Sequence, residues 1–337
     1  LPTRAPEPAA GAGWLTSVPE NCVIPRAEDA LRKDLGNDSD YAFVSEINAV
    51  ETTITRSALI GGNSVKLLLD GPQTHAAQLA AIAAAKHHVH LDVYLFTDDD
   101  VGKQYLAALT QQARAGVKVR MILDGLGGQG AGSEYRNALK DAGVELFEFH
   151  PVNPLKDLRV WRVNRRNHRK LLVIDGRVAF TGGVNITDQY SAPSQGIPSG
   201  RPGWRDTHIQ VQGPAVAEFQ KLFLANWERN HDRIEVSEHY WPPLTSVGKT
   251  WVRTARNEGA DFVHVFTEGG KELLQVIRGK EQEHKHGIYE AYLNIIRKAR
   301  HRVWITQAYF APNDAFIEAM TQAAQRGVDE RILMPGE

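Results

Sequence analysis

His168 and Lys170 stand two residues apart in the stretch NHRKLLVIDGRVAFTGGVN, residues 167–185. A strand's side-chain period of two puts both on one face with Leu172 and Ile174, and leaves Arg169, Leu171, Val173 and Asp175 on the other. Asp175-Gly176 is a hairpin-turn signal between apolar alternations. The returning strand then brings Gly182, Gly183 and Asn185 near the level of His168, and glycines at a strand end allow close approach to the backbone. A neutral imidazole, an ammonium, an amide donor and bare backbone N–H groups together suit a phosphate. The histidine nitrogen can attack phosphorus and form a covalent intermediate. Lys170 and Asn185 would neutralise and orient the phosphoryl oxygens. Such donors carry the charge with no metal and no cofactor. The leaving oxygen needs a second acid–base group, and no neighbour in the sequence supplies one.

The elements that must hold this hairpin alternate in type. From Val65 the chain reads as a strand VKLLLD, an Ala-rich helix ending near Lys86, a strand HVHLDVYLF, a helix from Val101 to Ala115, and a strand ending at Asp124. The loop GLGGQGAGS reads as a flexible connection, followed by a helix and the strand VELFEF. After the hairpin, WRDTHIQVQG reads as a strand and PAVAEFQKLFLANWERN as a helix with proline in its first turn. The pattern predicts an α/β fold, a mixed β-sheet flanked by helices.

WPPLTSVG, residues 241–248, reads as a domain boundary, and beyond it the chain starts again. KHHVHLDVYLF aligns with RHRVWITQAYF, and ARAGVKVRMILDG with AQRGVDERILMPG; the offset is 214 between Val89 and Val303 and 211 between Gly116 and Gly327. The expectation is a duplicated domain: an N-terminal extension at 1–40, a first copy at 41–245, and the N-terminal part of a second, incomplete copy at 246–337. Offsetting His168 by 211 puts a matching hairpin near residue ~379, past Glu337. Glu330 stands where the first copy has Val119, which marks the last strand as an edge or as poorly ordered.

Composition narrows the partners. Lys+Arg of 39 against Asp+Glu of 40 leaves a net charge of -1, so no global basic field draws in nucleic acid. No run approaches the ~18 apolar residues of a membrane span. Cys22 is the single cysteine, which rules out an internal disulfide and a thiolate zinc cage. The first 22 residues read as a Pro/Ala/Gly-rich leader, compatible with a processed secretory or lipoprotein signal or with a trimmed end.

H-x-K-x-x-x-x-D followed by G-G-x-N, carried by His168, Lys170, Asp175, Gly182, Gly183 and Asn185, resembles the motif of the phospholipase D superfamily. NHRKLLVIDG, WRDTHIQVQGPAV and the repeated strands are similar to those of bacterial cardiolipin synthases, over roughly Val65 to the C-terminus. The resemblance implies a duplicated fold with one motif per copy, meeting at a pseudo-twofold cleft. It makes His168 the nucleophile, puts Lys170 and Asp175 in the catalytic motif, and makes Asn185, Gly182 and Gly183 phosphate binders. Asp206 would orient the histidine of the opposite motif. The turn position of Asp175 favours a structural role for it.

Other residues admit plainer readings. The basic run Arg159, Arg162, Arg165, Arg166 and Arg169 is either an anionic-lipid patch or solvated charge. His87, His88 and His90 point in different directions across a helix-to-strand junction, so no metal is expected there. His284 and His286 read as surface residues near the cleft. GLGGQGAGS lacks the lysine of a P-loop.

The implied function is phosphatidyl transfer to a lipid alcohol, with an anionic phospholipid such as phosphatidylglycerol as partner, peripheral membrane contact and a bacterial envelope location. Phospholipase D hydrolysis, a dimeric nucleic-acid phosphodiesterase and an inactive lipid or phosphate binder are the competing readings. A homodimer or a C-terminal half would supply the second motif.

Overall fold

The computed structural model describes residues 32–33, 38–55, 57–151, 166–191, 203–231, 234, 238–257, 260–266, 273–277, 287–307 and 310–334. The leader, Cys22, Arg159, Arg162, Arg165, His284 and His286 lie outside the described residues.

Helix α1 (Asp38–Thr55) precedes β1 (Leu59–Leu69), α2 (Asp70–Ala83), β2 (His88–Val93), α3 (Asp100–Arg114), β3 (Lys118–Asp124), α4 (Gly132–Asp141) and β4 (Glu145–Phe149). The hairpin follows as β5 (Lys170–Ile174) and β6 (Val178–Gly182), then β7 (Thr207–Gln212) and α5 (Val216–Asn230). Three antiparallel strands come next, β8 (Thr250–Asn257), β9 (Ala260–Phe266) and β10 (Leu273–Ile277). The chain closes with α6 (Gly287–Lys298), β11 (Arg302–Thr306), α7 (Asp314–Gln325) and β12 (Asp329–Leu333).

The first ten strands form one mixed sheet in the order β10-β9-β8-β1-β7-β6-β5-β2-β3-β4. Strands β2, β3 and β4 are parallel because helices cross between them, whereas β5 runs antiparallel beside β2. The two faces of the sheet pack into two cores. Val89, Leu91 and Val93 pack under α2, α3 and α4 with Ile82, Tyr105 and Leu139. Leu171, Val173, Ile209 and Val211 pack instead under α5 with Phe219, Phe223 and Trp227.

The expected boundary at 241–248 does not break the sheet. Strand β8 pairs with the first half of β1, Leu59 opposite Arg253, so the strands after the linker extend the first sheet. A fully buried ion pair at 3.2 Å between Arg253 on β8 and Glu51 on α1 ties them to the N-terminal helix.

The repeat is reproduced in register. Val89 stands opposite Val119 in β2–β3, and Val303 opposite Glu330 in β11–β12, both pairs parallel and both bridged by a helix. In the first unit His88, His90 and Arg120 lie beneath α5 and Tyr240. Their counterparts Arg302, Trp304 and Arg331 stack on one another in the open, with Trp304 57% exposed. Strand β12 forms an edge, and burial of the Glu330 carboxyl on its helix side raises its pKa.

Two sequence expectations need correction. GLGGQGAGS is packed rather than loose: it forms a short 3-10 turn (127–131) whose Gly127 and Gly128 are buried, because a carboxylate at the end of β3 ties down its amides. His88 and His90 share one face of β2, with ring centroids 4.4 Å apart, because residues two apart on a strand point the same way. His87 faces elsewhere and stacks on His239.

Burial pushes His88 down to about 4, and it does the same to His75 on α2. A histidine held neutral in the fold but free to protonate near 6.5 when unfolded stabilises the protein fully above that pH. The contribution disappears as pH falls towards 4. Denaturant-unfolding midpoints should therefore drop steadily between pH 6.5 and 4, on the order of 3 kcal/mol per histidine; a flat profile would contradict the buried neutral state.

Candidate active site

The functional ends of the strands converge because of strand direction. Val93, the last residue of β2, pairs with Lys170, the first of β5. The carboxyl ends of the parallel strands and the amino end of the hairpin thus occupy one edge, where ligands of open α/β sheets are usually bound. On the other side of β5, Leu171 stands opposite Thr181, and Gly182 opposite His208, which brings the start of β7 to the same level.

His168 and Lys170 meet at one ring, that of Tyr94, just beyond β2. The imidazole centroid lies 4.3 Å from the Tyr94 centroid at an interplanar angle of 43°, and the Lys170 Nζ lies 5.1 Å from the same centroid. Lys170 is buried, and its Nζ donates to the carbonyl of His168 at 3.1 Å. The two residues share a face and a location.

Their approach is set by two buried carboxylates. Asp92 Oδ1 accepts from Asn167 Nδ2 at 2.6 Å, and Oδ2 from Asn226 Nδ2 on α5 at 2.7 Å. Asp124, at the end of β3, accepts from the Asn167 amide at 2.8 Å and from the amides of Leu126 and Gly127 at 2.9 and 3.1 Å. Both aspartates are fully buried. Tyr94, Asp92, Asp124 and Asn167 were not singled out from the sequence. Acidic residues inside otherwise apolar strand runs, HLDV and MILD, are the signal that marks them, since charge is buried only when satisfied.

The remaining motif residues are placed as follows. Asn185 is buried, with Oδ1 accepting from the Leu95 amide at 3.2 Å and Nδ2 donating to the Tyr190 hydroxyl at 2.9 Å. It holds the loop between β6 and β7 at the site edge. At Gly182 a close approach comes from within the sheet. A Cβ on Gly182 would lie 2.5 Å from the backbone of Thr207 and His208, and the Gly183 amide donates to the Thr207 carbonyl at 2.7 Å. Strand β7 is what approaches this backbone.

Asp206 lies at the same edge. Its carbonyl accepts from the Asp70 amide at 2.9 Å, and its Oδ1 accepts from the Thr207 amide at 2.8 Å. Asp175 is not brought to the site: it sits at the far end of β5, five residues or about 17 Å of strand from Lys170. Its carboxylate accepts from the amides of Lys86, His87 and His88 at 2.8 to 2.9 Å, and its φ of 52° closes the turn.

Of the basic run, Arg169 is buried on Asn167 and Arg166 reaches the His150 carbonyl and Asp124, so these two are internal ties and not a lipid patch. Among the described residues, no group of three or more His, Cys, Asp or Glu converges on a metal-sized point.

A mixed sheet with an imidazole–ammonium hairpin at the carboxyl edge of its parallel strands defines the class: the chain belongs to the phospholipase D superfamily. A family model described as cardiolipin synthase, PLD-like domain, matches residues 79–195 and 292–337, one segment in each repeat. The chain is similar to the cardiolipin synthase of Alkalihalophilus pseudofirmus, 34% identical over 273 residues, covering 81% of this chain and 49% of the relative. Cardiolipin synthase 1 of Bacillus anthracis is 32% identical over 278 residues, covering 81% of this chain and 50% of the relative. The chain thus spans about half the length of these curated relatives. In fold it is like the phosphatidylserine synthase of Haemophilus influenzae Rd KW20, with a TM-score of 0.54 at 12% identity over 86% of this chain and 66% of that one.

The placement of Asp175 generates a test. Asp175→Ala should cost about 2 kcal/mol, since it leaves three backbone amides without their acceptor, that of His88 in a buried position, and should lower the thermal unfolding midpoint. Binding of tungstate, a phosphate mimic, should stay within about twofold of wild type, whereas Lys170→Ala should weaken it by about tenfold or more while leaving the midpoint nearer wild type. Calorimetry on both variants checks the contrast.

Proposed function

We propose that the chain carries one half of a phosphatidyltransferase site, cardiolipin synthase-like, that works through a phosphohistidine at His168. The observation that carries this reading is the shared seat of His168 and Lys170 against Tyr94 at the carboxyl edge of β2 and β3. A ring nitrogen of His168 attacks the phosphorus of an anionic phospholipid such as phosphatidylglycerol. The P–O bond to the head-group glycerol breaks, and glycerol leaves with a proton. A second lipid hydroxyl then attacks the same phosphorus, giving up its proton to the group that protonated glycerol, and the bond to His168 breaks. Lys170 offsets charge on the phosphoryl oxygens as the transition state forms. Water in place of the lipid alcohol would make the outcome hydrolysis, a choice that rests on exclusion of water from the closed site.

The proton for the first leaving group comes from a second motif, supplied by a C-terminal half or by a second copy of the chain. Similarity to cardiolipin synthases across both repeats supports the first source. Residues 41–245 then form the unit that holds the hairpin, and of 246–337, whose first strands extend that unit's sheet, the part from α6 onward opens the second copy. No described helix is long and apolar enough to cross a membrane. In this reading lipid is met by peripheral contact at a bacterial envelope surface.

The test uses vesicles of phosphate-labelled phosphatidylglycerol with the chain at high concentration, quenched in mildly alkaline detergent so that the acid-labile P–N bond survives. A labelled adduct should map to His168 and vanish in His168→Ala. Neither adduct nor glycerol release from the wild-type chain would sink the enzymatic reading and leave a phosphate-binding protein.

A further inference from the structure

Tyr94 touches both groups on which the proposed chemistry rests, and its own position is fixed from behind. The Gly127 backbone packs so closely on it that a Cβ there would lie 2.2 Å from the Tyr94 carbonyl oxygen and 3.2 Å from the ring Cδ2. The Gly127 amide is in turn held by Asp124, whose other oxygen holds the Asn167 amide next to His168. One buried carboxylate therefore sets both the ring wall and the strand that presents the imidazole.

From this geometry we propose that Tyr94 is a positioning residue: its ring seats the His168 imidazole and the Lys170 ammonium together, as a preorganised clamp for a tetrahedral oxyanion. The inference rests on the phosphate-site reading above and adds to it a residue outside the H-x-K motif.

The physical reason is entropic and electrostatic. A lysine side chain has about 2 kcal/mol of rotamer freedom to lose when it fixes an anion, and a group already packed against a ring has surrendered much of it. The negative face of the ring also favours the ammonium at this distance. The ring supplies the contact, and the hydroxyl has no part in it.

Three variants decide the matter in the full chain. With tungstate as the probe, Tyr94→Phe should bind within about twofold of wild type, and Tyr94→Leu, similar in bulk but without a π-face, should bind about five- to tenfold more weakly. In a Lys170→Gln background the added Tyr94→Leu change should weaken whatever affinity remains by less than about twofold, because the two groups act as one unit. A purely structural tyrosine would lower affinity by the same factor in both backgrounds.

The ring-proton NMR shifts of His168 give an independent readout. They should move downfield in Tyr94→Leu and hold in Tyr94→Phe as the aromatic ring current is lost or kept. Undiminished tungstate binding by Tyr94→Leu, or full additivity with Lys170→Gln, overturns the proposal. If the wild-type chain binds no tungstate at all, the phosphate-site reading fails. The His168 shifts then decide alone: movement confined to Tyr94→Leu upholds the seating of the imidazole, and unmoved shifts refute it.

Discussion

Asp124 is the constraint on which the site depends. A carboxylate with no exposure to water costs several kcal/mol unless its oxygens are fully engaged, and here they take the amides of Asn167, Leu126 and Gly127 with the Arg166 guanidinium at 3.7 Å. Two segments distant in sequence are thereby tied to the end of one strand. The first is the glycine turn that backs Tyr94, and the second is the entry to β5 that presents His168. Asp92 repeats the arrangement one strand over by joining Asn167 to α5.

Strand direction does the rest. A sheet of parallel strands alone would put the amino end of β5 at the edge opposite the carboxyl end of β2. Because β5 runs antiparallel, Lys170 pairs with Val93 and the hairpin begins where β2 and β3 finish. The turn end of the same hairpin is consequently far from the chemistry, and Asp175 is spent there on three backbone amides. Motif membership and site membership part company at this residue.

The two repeats share one strand register and differ in the side chains it carries. In the first, α5 and Tyr240 bury a polar face of His88, His90 and Arg120, in which Gln220 bonds both histidines and Arg120 bonds Glu145 and the Tyr240 hydroxyl. In the second, the same register leaves Arg302, Trp304 and Arg331 exposed, with cation–π stacking in place of burial.

Alternation and spacing in the sequence determined the α/β alternation, the repeat with its offsets, and the shared face of His168 and Lys170, because each follows from local geometry with periods of two or 3.6 residues. Only the tertiary structure decided that β8 to β10 complete the first sheet, that Gly182 is small to admit β7, and that Asp175 stands apart from the site. It alone brought Tyr94, Asp92 and Asp124 to the hairpin from 43 to 76 residues away in sequence. Those outcomes turn on which buried polar groups can be satisfied at once, and that depends on strands that are neighbours in space and not along the chain.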